Sequence, residues 1–128
     1  MTNFKIALMS IICATLFLGC VNNAEIDTAA NMKIVNDPFK SALHKEYIGL
    51  AHLRNKEGDV EHTRYFINKA KTVATSENVL PQFLGDQKLP EHARSQLASA
   101  RITLVNKLWN GGSKLTPRVA ARAQAMFD

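Results

Sequence analysis

Four histidines, His44, His52, His62 and His92, are the most obvious metal-binding groups in this chain of 128 residues. A bound zinc or copper ion needs three or four nitrogen, sulfur or oxygen donors converging on one point. His44 and His52 fall eight residues apart, on one helical face but two turns from each other, about 12 Å by helical rise. That is too far for one ion. No His-Glu-x-x-His run or Cys-x-x-Cys pair supplies the missing donors, so the spacing predicts no metal. Nucleophilic chemistry fares no better. Ser41, Ser95 and Ser99 fall on helical surfaces with no base marked beside them. Gly111-Gly112-Ser113 follows a helix, not a strand, and reads as a helix stop rather than a phosphate cradle. The expectation is a non-enzymatic protein with no catalytic residue and no cofactor.

The cysteines are more informative. Lys5 precedes an apolar run from Ile6 to Leu18, shorter than the roughly 20 residues that span a bilayer. The run fits the core of a secretory signal, with Gly19 as the small residue before a cut. Removal of residues 1–19 would discard Cys13 and leave Cys20 alone, so no intramolecular disulfide could form. LFLGC, residues 16–20, resembles a bacterial lipoprotein box, although Phe17 stands where Leu is commonest and Leu18 where a smaller residue is usual. The resemblance implies cleavage before Cys20 and a lipid on that cysteine, with palmitate among its acyl chains. Several chains anchor a protein stably where one does not. Val21 after the cysteine, instead of Asp, favours the outer membrane. An ordinary cleaved signal and an uncleaved anchor are the alternatives.

The chain carries 16 Lys and Arg against 11 Asp and Glu, and 46% of its residues are hydrophobic. This composition fits one folded domain and excludes a disordered or low-complexity chain. Residues 20–36 are polar and without sustained period, and read as a tether between lipid and domain. Residues 37–128 read as an all-α domain, a small bundle of about four helices. Asp37-Pro38 starts the first and Gly58 stops it; Asp59 caps the second. Phe39, Leu43, Tyr47, Leu50 and Leu53 or Arg54 form the stripe of one helix, and Val60, Thr63, Ile67, Ala70 and Ala74 that of the other. Residues 76–89 form an irregular connection whose apolar side chains pack back on the helices. Pro90-Glu91 opens a third helix with Leu97, Arg101 or Ala100, Leu104, Val105 and Leu108 along one face. Thr116-Pro117 opens a fourth with Val119, Ala123, Met126 and Phe127 inward, and Trp109 is expected in core or edge packing.

Two surfaces are candidates for interaction. The first helical pair has the spacing of a tetratricopeptide repeat, a helical hairpin that can dock a peptide segment of an envelope partner. Its face would be Tyr47, Leu50, Arg54, Thr63 and Ile67. The second is a basic face made by Arg94, Arg101, Lys107, Arg118 and Arg122, which could meet an anionic envelope polymer or lipid headgroup. The export signal argues against nucleic acid.

Three segments, ALHKEYIGLA from Ala42, VLPQFLGDQKLP from Val79 and ARAQAMFD from Ala121, together resemble the N-terminal region of alphaproteobacterial OmpA-family envelope lipoproteins. The resemblance spans roughly residues 37–128. In that family a C-terminal domain that binds peptidoglycan comes next, and its binding residues have no matching positions here. The resemblance implies an envelope lipoprotein with a structural or interaction role at the outer membrane, or a truncated remnant with no retained activity.

Overall fold

In a computed structural model, Val21 and residues 23–85 and 87–128 are described. The expected signal segment 1–19 and Cys20, the expected site of lipid attachment, lie outside the described residues. The described residues are all-α, a small helical bundle with no strand: α1 (Asn23–Ala30), α2 (Pro38–Lys56), α3 (Val60–Thr75), α4 (Glu91–Lys107), a kinked turn (Leu108–Gly112), α5 (Ser113–Leu115) and α6 (Pro117–Phe127).

Local chemistry sets the central hairpin. The Asp37 carboxylate accepts a hydrogen bond from the Lys40 amide at 2.8 Å, and Pro38 occupies the first turn of α2, where an N–H would be unpaired anyway. At the other end Gly58 takes a left-handed φ of 77°, while its amide bonds the Asn55 carbonyl and that of Asp59 bonds Arg54. The Asp59 carboxylate then accepts from the His62 amide and starts α3. With so short a turn the two helices must run antiparallel. Their far end is closed by Lys40, whose Nζ donates to the Ser76 carbonyl at 2.7 Å.

Leu43, Tyr47 and Ala51 of α2 meet Phe66, Ile67, Ala70 and Val73 of α3 to make the core. Val73 takes the inward position that the helical stripe assigns to Ala74, which is only half-buried. The segment 20–36 is not a tether throughout. Ile26 and Ala29 of α1 are fully buried against the hairpin, and Val21 joins the same core. His44 donates from Nε2 to the Ala29 carbonyl at 3.0 Å, so a helix with only two apolar anchors gains a buried polar one. Burying a side chain such as Ile26 contributes about 1.5–3 kcal/mol toward holding α1 in place.

Helix α6 packs on α2 by a different face from the expected one. Ala120, Ala121, Gln124 and Ala125 are buried, whereas Val119 is 69% and Met126 54% exposed. Three alanines let the helix axes approach closely, and the larger apolar side chains are rotated outward. Helix α4 departs further from expectation, since none of its side chains is buried. Leu97, Leu104 and Val105 are half-buried, and only Leu108, in the turn beyond, enters the interior. The loop over 76–90 is held by a buried Pro81, while Leu80 and Phe83 are exposed rather than packed back. Trp109 is 74% exposed, not a core residue. After it the chain turns through Gly111 at φ 99°, and a Cβ on Gly112 would lie 2.6 Å from the Lys107 carbonyl oxygen. The paired glycines therefore permit a kink that side chains would obstruct.

Candidate functional site

Two places concentrate chemistry. The first is a buried polar cluster where α6 ends against the hairpin. The Asp128 carboxylate is fully buried. It accepts hydrogen bonds from the Tyr47 hydroxyl and from the Gln82 amide at 2.6 Å, and Lys69 Nζ lies 3.1 Å from it. The Tyr65 hydroxyl donates to Gln82 Oε1 at 3.1 Å, and Lys69 lies over the rings of both tyrosines. Gln124 Nε2 reaches the Val79 carbonyl at 3.4 Å. Four parts of the chain, α2, α3, α6 and the loop before α4, thus converge on one carboxylate.

The electrostatics derive from burial. The Tyr47 hydroxyl is pushed far above the usual tyrosine range, first by burial and then by the negative charge and hydrogen bond of Asp128. Tyr65 rises to about 12 for the same first two reasons. Neither hydroxyl is poised to give up its proton near neutral pH, and both oxygens of Asp128 are engaged. The cluster is built to join elements. A reacting group would need an approach from solvent that the buried Tyr47 and Asp128 do not offer.

The second place is an open groove of about 680 Å³ between α4 and α6. Leu104 and Leu108 form one wall, and Leu115, Val119 and Ala123 the other. Lys107 is the charged residue on its lining, and none of the described lining residues carries a carboxylate. Val119 and Ala123, four apart, line this groove instead of the core, and Met126, three further on, is exposed. Assigning α6 a single apolar face hides the groove. The signal that reveals it is a second face on the same helix, Ala121 and Ala125, which join the core.

The hairpin face named from the repeat-like spacing does not present a docking surface. Tyr47, Thr63 and Ile67 are fully buried, covered by α1 and α6 in addition to the pairing of α2 with α3. Leu50 is half-buried, and Arg54 is paired with Glu57 at 2.8 Å. The basic face is likewise divided. Arg101 donates to the Gln82 carbonyl at 2.8 Å and to that of Pro81 at 3.0 Å, with its guanidinium over the Phe83 ring. Arg94 donates to Gln87 at 3.1 Å and Leu84 at 3.5 Å. These two, seven residues apart, clamp α4 to the loop instead of awaiting an anion. Arg122 lies 3.3 Å from Glu46, while Lys107 and Arg118 are exposed.

Among the histidines, His44 is buried against α1, and His52, His62 and His92 are exposed. The described residues contain no group of three or more His, Cys, Asp or Glu placed to hold a metal ion. Nor is any described helix long and apolar enough to cross a membrane. No protein-family model matches the chain, and neither a characterised protein nor a solved structure matches it.

Proposed function

We propose that this chain is a non-enzymatic lipoprotein of the bacterial envelope, an interaction domain held at the outer membrane by acyl chains on Cys20. The observation that carries the reading is the junction at Gly19-Cys20, which ends the apolar run from Ile6 to Leu18. The residues just beyond that junction support it. Val21 is already part of the core, and α1 begins at Asn23. A lipid on Cys20 would then hold the domain against the bilayer surface with almost no slack, in contrast to lipoproteins on long tethers. The Asn23 side chain accepts a hydrogen bond from Asn55 at 2.9 Å. Helix α1 therefore begins beside the α2–α3 turn.

Metabolic labelling with a palmitate analogue, coupled to membrane fractionation, tests this directly. The natural chain should take up label and sediment with membranes, and Cys20→Ser should lose both properties together. Equal labelling of the two chains, or of neither, would remove the lipoprotein reading.

A further inference from the structure

We propose that the groove between α4 and α6 is the docking site of a partner protein's amphipathic helix, one whose apolar stripe is flanked by acidic residues. This deepens the interaction-domain reading and rests on it, but not on the lipid at Cys20. Three observations converge. The groove is floored by apolar side chains on two helices, yet Leu115 is 82% and Val119 69% exposed. A small molecule lying there would stay largely in water, whereas a helix can lay an apolar face along both walls. Next, α6 presents Val119, Ala123 and Met126 at helical spacing on the side away from α2. The small residue in the middle lets another helix approach closely. Helix α4, which buries none of its own side chains, supplies the opposite wall without filling the space.

Charge selects the occupant. Residues 91–127 hold six basic side chains and a single acidic one, Glu91. Arg94, Arg101 and Arg122 have partners inside the domain. Lys107 lies on the groove itself, and Lys114 is exposed beside Leu115. An approaching surface must therefore be acidic beside its apolar stripe. A second copy docking through the same face would set these cations against each other, which disfavours a symmetric dimer here.

Trp109 lines a separate pocket with Phe39 and Leu80, so its emission does not report on this groove, and the readout is the fluorescence anisotropy of a dye carried by the added peptide. The full chain in nanodiscs of zwitterionic lipid would be titrated with two synthetic helical peptides. They share one leucine–alanine stripe, flanked by glutamate in one and by lysine in the other. The glutamate peptide should give a saturable rise in anisotropy and bind at least tenfold more tightly than the lysine peptide. Val119→Glu, at an exposed position, should abolish the difference while leaving the helical circular dichroism unchanged. Lys107→Glu should reverse the preference, and Val35→Glu, exposed elsewhere, should change nothing. Equal binding of both peptides, or undiminished binding by Val119→Glu, would overturn the proposal. So would concentration-dependent self-association that Val119→Glu abolishes, which would assign the groove to a second copy, or displacement of the bound peptide by anionic vesicles, which would assign it to lipid. Peptide binding that persists in Cys20→Ser would separate the groove from the anchor.

Discussion

The hydroxyl of Tyr47, in the middle of α2, donates a hydrogen bond to the carboxylate of Asp128, 81 residues later in the chain. The same carboxylate takes the Gln82 amide and the Lys69 ammonium, so one buried charge ties α6 and the loop before α4 to the hairpin. A buried carboxylate is tolerable only with such a full set of partners. The hairpin, α6 and the loop are consequently expected to lose stability together when any member of the set is removed.

Asp128→Ala should be the most costly substitution in this set. It leaves the Tyr47 hydroxyl, the Gln82 amide and a mostly buried Lys69 without their acceptor, a loss of about 3–5 kcal/mol by analogy with other broken buried pairs. Tyr47→Phe removes one donor from a carboxylate still held by two others and should cost about 1.5–3 kcal/mol. Denaturant unfolding of the two variants and their double would measure the coupling. The double variant should be less destabilised than the sum of the singles, and simple additivity would show that the residues do not interact.

Alkaline pH should unfold the domain through the same residues. Both hydroxyls sit above their ordinary value of 10.0 in the folded chain, Tyr65 at about 12 and Tyr47 higher. Below pH 10 they are protonated whether the chain is folded or not, and their contribution is fully present. Above it the unfolded chain releases protons that the folded chain retains, so stability falls as pH rises. For the buried Tyr47 the slope approaches about 1.4 kcal/mol per pH unit. Tyr65, partly exposed, adds a smaller loss between pH 10 and about 12. Melting temperatures measured through this range should decline, and Tyr47→Phe should flatten the decline.

Ile26→Ala tests whether the segment after Cys20 belongs to the fold. Ile26 is fully buried on α1, so truncation should cost about 2–5 kcal/mol. Asp27→Ala, its exposed neighbour, should have little effect. Thermal melts of the two variants give the comparison. A silent Ile26→Ala would restore the flexible tether.

These residues also mark what is legible in the sequence and what is not. Helix starts at Asp37-Pro38 and at Asp59, and the stop at Gly58, are local events decided by a cap, a proline and a glycine, and they stand in the structure as their residue types require. The facing of α6 is decided elsewhere. Its alanines and its larger apolar residues each form a stripe of helical spacing, and close packing on α2 selects the alanines. Helix α1 has only two buried apolar residues in eight positions, too few to register as a period, and it owes its place partly to His44. The Asp128 cluster unites residues up to 81 positions apart through polar contacts, and hydrophobic patterning carries no trace of such pairing. Similarly, Arg94 and Arg101 look like a basic face until the loop carbonyls they meet are known.

Arg101→Ala should release α4 with little change in the rest of the domain. With no buried side chain of its own, α4 depends on the half-buried Leu97, Leu104 and Val105 and on the two arginine clamps. Arg101 makes the shorter contacts, reaching two successive carbonyls, Pro81 and Gln82. Its loss also removes the cation from the Phe83 ring. Amide hydrogen exchange should therefore speed up across 91–107 and in the loop over 81–87, while α2 and α3 keep their protection, because the core of the hairpin is untouched. Arg101→Lys should rescue only part of the protection, since an ammonium cannot reproduce the planar fork that spans both carbonyls. If exchange over 91–107 were unchanged in Arg101→Ala, apolar contact alone would be holding α4, and the arginine would be an ornament of the surface. If instead α2 and α3 lost protection as well, α4 would be part of the cooperative core despite its exposed side chains.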